Sequence, residues 1–446
     1  MQLPEHIFKA NDIRGLLEEV TPEIAYLSGR AIVRKTGAKT VIVGRDMRST
    51  SAELQAEAIR GIRSMGANAL NIGLTTTSVF NYSTASVNLA EAGLMITASH
   101  NPAEYNGIKF ADGTGLPIPG PAILEAIKQD DGATLSEGTV TDHNVVEEYV
   151  EACIKHANLP DVTGMKIAVD YGNGMGKVAF RPLAKRLGLE LVELYPEPDA
   201  RFPNHEANPN KRETLAEIEK LLASGDFVLG VALDGDADRI GFLDNTGTPL
   251  RGDEVLALLA ADELEKNPGA TIIYQPNHTW ATLDAINEHG GQPVLRPVGR
   301  TKVVEGMRTE GARLGGEVSS HFFFAEFAGL ESVDFAFCRM LSLIAKAKKP
   351  LSEISAPLRK YSNSWEVNFE VHDKAGATKR VEDAFVPLAT SINRLDGIRC
   401  EFGRDWWFIL RASNTEPLLR LIVEATSKEL MQSKRDEIGK LIMGEG

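Results

Sequence analysis

The sequence predicts an α/β protein: three related mixed α/β domains followed by a C-terminal α+β domain. Three observations predict it. Short apolar, β-branched runs alternate with stretches of helical spacing through the first three quarters of the chain. Several of those runs end in polar loops. After about Leu358 the texture changes to alternating, strand-like segments.

In the first domain, assigned to residues 1–145, Thr40-Val41-Ile42-Val43-Gly44 reads as a strand, and Ala52 to Met65 has helical spacing. Leu94-Met95-Ile96-Thr97 is a second strand, ending in Ala98-Ser99-His100-Asn101-Pro102. The second domain, 146–246, opens with the strand Lys166-Ile167-Ala168-Val169-Asp170. A turn at Gly172 to Gly176 and a helix from Arg181 to Leu187 follow, and then the buried strand Val228 to Leu233. In the third, 247–357, Asp253 can cap the apolar helix running through Leu259, and Thr271-Ile272-Ile273-Tyr274 is a strand. In the fourth, 358–446, Trp365 to Val371 alternates. Trp406 to Leu410 and Leu419 to Val423 flank a polar loop, as paired strands would.

Bulk properties narrow the function classes. The 446 residues are 43% hydrophobic, enough for several cores. No apolar run approaches the roughly eighteen residues that a membrane helix needs, and the N-terminus reads as no signal peptide. The three cysteines, Cys153, Cys338 and Cys400, are scattered and show no C-x-x-C spacing. They indicate neither disulfides nor a cysteine zinc site, and they fit a reducing cytoplasm. A formal charge of -14 without a basic stripe argues against nucleic-acid binding. Lys346-Ala347-Lys348-Lys349 reads as a solvated helix end. An acidic protein that handles anions must concentrate its arginines in particular loops.

Four loops carry chemistry. Asp234-Gly235-Asp236-Ala237-Asp238-Arg239 places three carboxylates at alternate positions after a buried strand. Their oxygens suit a hard cation such as Mg2+, and without one they repel each other. Arg239 and Asn245 stand where an EF-hand would need glycine and glutamate, which excludes that loop. In Thr97-Ala98-Ser99-His100-Asn101-Pro102, Ser99 lies on a turn just past a strand. His100 is not expected to act as its base, because neighbouring side chains on a strand point apart, and no G-x-S-x-G elbow is present. Lys109, downstream, can return to the same pocket. Gly315-Gly316-Glu317-Val318-Ser319-Ser320-His321 offers Glu317 and Ser319 to sugar hydroxyls, with His321 as a proton carrier. Arg411-Ala412-Ser413-Asn414-Thr415-Glu416-Pro417 offers a guanidinium fork and neutral donors to a phosphate. Gly172-Asn173-Gly174-Met175-Gly176 lacks the G-x-G-x-x-G spacing of a dinucleotide loop.

Together and in this order, T-A-S-H-N-P, D-G-D-x-D-R, G-E-x-S-x-H and R-x-S-N-T-E-P resemble the signatures of the α-D-phosphohexomutase superfamily, specifically bacterial phosphomannomutase/phosphoglucomutase. Phe8 to Gly15 resembles its N-terminal segment. The resemblance implies four domains around a central cleft. It implies Ser99 as a phosphoserine that is also a metal ligand, and Asp234, Asp236 and Asp238 as the Mg2+ ligands. Arg14, Lys109 and Arg239 become cations around the phosphoserine, with Lys109 or His321 assisting proton transfer. Glu317 and Ser319 become the sugar grip, and Arg411, Ser413, Asn414 and Thr415 the phosphate clamp, with Arg420 also a substrate-binding residue.

The implied reaction interconverts hexose 1-phosphate and hexose 6-phosphate through a hexose 1,6-bisphosphate, which also serves as activator. The only partner implied is a small-molecule sugar phosphate, bound by a monomer or weak homo-oligomer. Asn11 stands where tyrosine is usual, and Arg300 replaces a sugar-contacting histidine in Val298 to Lys302. Ser320 and Phe322 also depart from the commonest versions. These departures leave the sugar open: mannose, glucose, both, or an amino sugar. Phosphoglucosamine mutase is the alternative within the class. A non-catalytic sugar-phosphate-binding paralogue and a phosphatase are the alternatives outside it.

Overall fold

The computed structural model describes residues 3–87, 89–413 and 417–444. They form mixed α/β sheets and a C-terminal antiparallel sheet, arranged in two compact units. One unit comprises the chain up to Arg251 together with Ser319–Ser352. The other comprises Gly252–Val318 and the chain from Glu353 onward.

Two sheets of the described residues lie wholly in the first unit. Strands β1 (Asp12–Leu16), β2 (Thr40–Arg45), β3 (Asn68–Leu74), β4 (Ala92–Ile96), β5 (Tyr105–Asp112) and β6 (Val140–Asp142) form a six-stranded sheet in the order β1-β5-β4-β2-β3-β6. β2 runs parallel to β3 and β4, and β5 is antiparallel to both β1 and β4. Helix Pro22–Thr36 shows how local sequence sets its ends. The Thr21 side chain accepts from the Ile24 N–H, proline occupies the first turn, and Gly37 closes the helix at φ 70°. Strands β7 (Lys166–Asp170), β8 (Glu190–Leu194), β9 (Leu229–Leu233), β10 (Ile240–Leu243) and β11 (Pro249–Leu250) form the second sheet in the order β11-β10-β9-β7-β8. All five residues of β9 are buried, as its unbroken apolar run requires.

In the second unit β12 (Thr271–Tyr274) lies parallel to both β13 (Gln292–Leu295) and β14 (Leu314–Gly316). The chain then returns to the first unit, where β15 (Phe322–Phe324) pairs antiparallel with β16 (Leu330–Glu331). Helix Val333–Ala347 follows. There Tyr149 packs edge-on against Tyr82 and Phe327. Its hydroxyl lies 2.7 Å from Ser332 Oγ and donates to Asp334 Oδ2 at 3.0 Å. The remainder of the second unit carries β17 (Ser362–Asn363), β18 (Val367–Glu370), β19 (Ser391–Asn393), β20 (Ile398–Phe402), β21 (Trp406–Ala412) and β22 (Leu418–Ala425), paired antiparallel.

A buried cluster joins the parallel and antiparallel strands of this unit. Trp280 and Trp407 pack with Ile409 and Ile422, and Glu424 Oε1 accepts from the Trp280 N–H at 3.0 Å and from Trp407 Nε1 at 2.9 Å. Among the described residues no helix is long and apolar enough to cross a membrane. All three cysteines are buried and free.

Candidate functional site

The chemistry-bearing loops leave the carboxyl ends of strands, where open α/β sheets place ligands. β4 ends at Ile96, and Thr97 Oγ1 then accepts the Ser99 N–H at 2.9 Å. Ser99 adopts φ 52°, a left-handed conformation that costs energy for a residue with a Cβ. This turn directs Oγ to Asp234 Oδ2, to which it donates at 3.0 Å. It also replaces the reason why His100 is not expected to act as a base. The two residues do not lie on a strand, and His100 Nδ1 comes within 3.2 Å of Ser99 Oγ. Burial, reinforced by Arg239 and Arg14, pushes that imidazole down to about 2. His100 is therefore neutral and a very weak base, unsuited to drive a hydrolase triad.

β9 ends at Leu233 and delivers the aspartates. One carboxylate oxygen from each of Asp234, Asp236 and Asp238 lies within 4.8 Å of the others, and all three residues are buried. Gly235 allows the loop to press against the serine turn: a Cβ there would stand 2.3 Å from the Ser99 carbonyl oxygen. Burial, together with Asp238 and Asp236, raises the Asp234 carboxyl well above its usual range. For Asp238 burial acts in the same direction, but Lys109, His321 and Arg239 outweigh it and hold the group ionised.

Lys109 Nζ bridges Asp236 Oδ2 and Asp238 Oδ2 at 2.7 Å each. Burial opposes its charge, yet the two carboxylates more than compensate and keep it firmly protonated. Arg239 Nε lies 3.8 Å from Asp234 Oδ2 and 4.0 Å from Asp238 Oδ1. Arg14, paired across β1 and β5 with Gly107, donates to Asn101 Oδ1 at 2.9 Å and to Asp12 Oδ2 at 2.6 Å. His321 Nε2 sits 3.3 Å from Asp238 Oδ1, and its Nδ1 lies 3.0 Å from Ser319 Oγ. Ser99, Arg14, Lys109, the three aspartates, Arg239, Ser319 and His321 thus all belong to the first unit.

The structure adds residues that the sequence reading passed over. Thr77 Oγ1 donates to Asp236 Oδ2 at 2.6 Å, its N–H donates to the Asp236 carbonyl at 2.8 Å, and Ser78 Oγ donates to the Ala237 carbonyl at 2.9 Å. The run Thr75-Thr76-Thr77-Ser78 signals a helix start, and Thr76 does cap helix Thr77–Ala85. Its approach to the aspartate loop is a tertiary fact.

The residues of the second unit expected to bind substrate form two groups. Buried Glu317, just past β14, accepts at Oε1 from Gln275 Nε2 at 3.1 Å and from the Gly299 N–H at 3.2 Å. That links it to the turn preceding half-buried Arg300, the first residue of helix Arg300–Thr309. Arg411 on β21 and Arg420 on β22 are cross-strand partners. Like charges directly opposite are unfavourable unless an anion joins them. Arg411 Nη2 rests 3.0 Å from Asp396 Oδ2, and Arg420 Nη1 lies 3.6 Å from Glu366 Oε1. The Ser413 carbonyl accepts from Lys374 Nζ at 2.7 Å. Asn414 and Thr415 lie outside the described residues.

Comparison with known proteins agrees with this architecture. Four domain models match in succession: phosphoglucomutase/phosphomannomutase alpha/beta/alpha domain I at residues 5–133, domain II at 147–247, domain III at 251–361, and the C-terminal domain at 366–441. The chain is 36% identical to a phosphoglucomutase of Neisseria gonorrhoeae, covering 96% of this chain and 94% of that one. It is 35% identical to a phosphomannomutase of Escherichia coli strain K12, covering 94% of each. A solved phosphoglucomutase/phosphomannomutase family protein from Burkholderia thailandensis superposes with a TM-score of 0.90 at 30% identity, covering 99% of this chain and 98% of that one. The chain belongs to the phosphoglucomutase/phosphomannomutase family of phosphoryl-transferring mutases.

Proposed function

We propose that this chain is a phosphohexomutase, which interconverts hexose 1-phosphate and hexose 6-phosphate of glucose, mannose or both through phosphorylated Ser99 and a hexose 1,6-bisphosphate. The observation that carries this reading is buried Ser99 Oγ, directed by a left-handed turn to stand 3.0 Å from one of three clustered aspartates. The relatives named for glucose and for mannose support both sugars.

The donor set suits Mg2+. It consists of hard carboxylate oxygens in one cluster, and Asp236 Oδ1 is buried without a hydrogen-bond donor among the described residues. Asp234, Asp236 and Asp238 would hold the ion, with an oxygen at Ser99 as a further ligand. When bound, it would offset the charge that a phosphoserine carries, close to two negative charges at neutral pH.

The chain's own residues do the rest. Arg14, Arg239 and Lys109 add positive charge around Ser99. Arg411 and Arg420 are the groups proposed to hold the phosphate that does not react, and Glu317 and Ser319 to grip sugar hydroxyls. As the bond between Ser99 Oγ and phosphorus breaks, one between phosphorus and the sugar oxygen forms. The hydroxyl proton passes in balance to Ser99 Oγ, carried by Lys109 or His321. The bisphosphate then turns over and returns its other phosphate to Ser99.

A coupled assay with Mg2+ and a trace of hexose 1,6-bisphosphate, run on glucose 1-phosphate, mannose 1-phosphate and glucosamine 1-phosphate, tests the reading. Formation of a 6-phosphate that is lost in Ser99→Ala is expected, and the ranking of sugars reports the effect of Arg300. Wild-type turnover in Ser99→Ala, or steady release of inorganic phosphate in place of product, would sink it.

A further inference from the structure

The serine turn faces an arginine that no part of the reaction above uses. Arg48 lies in the segment between β2 and helix Ser51–Ser64, and its side chain is 0% exposed. Its two terminal nitrogens carry four N–H bonds, and four backbone carbonyls receive them. Nη1 donates to Pro102 O at 2.7 Å and to Tyr105 O at 2.8 Å, while Nη2 donates to Ser99 O at 3.0 Å and to Asn101 O. Nε lies 3.3 Å from Asp46 Oδ2, which balances the charge. Asp46 is fixed in turn. Its Oδ1 accepts from the Arg48 N–H at 2.9 Å and from Ser51 Oγ at 2.6 Å, and its N–H donates to Ile96 O at 2.9 Å, where β4 ends.

We propose that Arg48 is the positioning residue of the nucleophile: its guanidinium gathers the carbonyls of the 99–105 loop and thereby holds Ser99 in its left-handed conformation with Oγ on the aspartate cluster. The inference rests on reading Ser99 as the phosphorylated residue. The conformation at Ser99 is unfavourable for a residue with a side chain, so something outside the residue must maintain it. Turning several carbonyls of one short loop inward leaves acceptors that cost free energy if unpaired. Only arginine offers enough donors in a fixed plane to satisfy all four at once, because a lysine ammonium has three. The same Ser99 carbonyl is closely approached by the backbone of Gly235. Arg48 therefore fixes the serine side of this contact without touching a reacting atom.

The test compares wild type with Arg48→Lys, which keeps the charge opposite Asp46 but cannot serve four carbonyls. Asp46→Asn, which removes the counter-charge and little volume, is the second variant. Each full-length protein is labelled at Ser99 with radioactive glucose 1,6-bisphosphate in Mg2+. kcat is then expressed per phosphorylated site, and KM for glucose 1-phosphate is measured alongside. A misplaced nucleophile predicts that Arg48→Lys loses roughly 10- to 100-fold in kcat per site with KM kept within about twofold, and that Asp46→Asn shows a smaller loss of the same kind. A purely structural role would instead lower the number of sites that label and leave kcat per labelled site unchanged, and that result overturns the inference. Should Arg48→Lys fail to fold, Asp46→Asn decides by the same ratio. If wild type itself takes no label at Ser99, the reading of the site falls, and this inference with it. If wild type labels and the variants turn over equally fast per site, only the inference falls.

Discussion

Replacing Gly235 by alanine is the smallest change that tests how the aspartate loop meets the serine turn. The added Cβ would lie 2.3 Å from the Ser99 carbonyl oxygen and 3.1 Å from its carbonyl carbon. A carbon and a carbonyl oxygen approach no closer than about 3.3 Å, so roughly 1 Å of separation must be found. The oxygen is not free to give way, because it already accepts from buried Arg48 Nη2 at 3.0 Å. The displacement therefore falls on the geometry between Ser99 Oγ and Asp234. A misplacement of about 1 Å costs about 100-fold in rate, equivalent to about 2.7 kcal/mol on the barrier. Overpacking adds about 1–3 kcal/mol of lost stability. Steady-state assay of Gly235→Ala should show kcat down by about two orders of magnitude per folded molecule, with KM little changed, and a lower melting temperature. Activity within about twofold of wild type in a fully folded variant would refute the reasoning, since the two loops would then not need this contact.

Asp334 gives a pH signature. Burial raises its carboxyl from 3.8 to about 7 against the hydrogen bond from Tyr149, so between about pH 4 and 7 the unfolded chain has released a proton that the folded chain keeps. Stability should accordingly fall as pH rises through that window, by about 4 kcal/mol over ~3 pH units. Asp334→Asn should flatten this slope in urea melts at pH 4.5 and 7, and parallel profiles for the two proteins would contradict it. Mg2+ should raise the melting temperature of wild type, by the equivalent of about 2.7 kcal/mol at 100 times its dissociation constant, reversibly on chelation. Asp236→Asn should show much less of this stabilisation, and an equal effect in both would place the ion elsewhere.

Strands buried on both faces were plain in the sequence. Lys166–Asp170 and Thr271–Tyr274 fall where their apolar runs lie, and the Trp406 and Leu419 runs pair as expected. Helix Lys177–Arg186 begins four residues before the expected start, because Pro182 and the preceding glycines obscure its first turn. Ser99 and the three aspartates were legible because turn chemistry and repeated like charge are local signals. Arg48, Asp46 and Thr77 were not, since a buried arginine looks like an exposed one until the carbonyls it serves are seen. The expectation that His100 is no hydrolase base stands, but the strand geometry given for it does not, because Ser99 beside it adopts a positive φ.

The first unit is not continuous in the chain. It needs Ser319–Ser352 after a segment that belongs elsewhere, and His321 and Ser319 at the aspartate loop come from this late return. During synthesis from the N-terminus, Ser99 and the aspartates emerge long before the residues that complete their surroundings. The first unit cannot close on the ribosome until residue 352 has left the exit tunnel, so the nascent chain carries the Ser99 turn and the aspartate loop without Ser319 and His321 while the intervening segment is made. A product truncated before Ser319 would carry Ser99 and the aspartates without the late-made partners beside them.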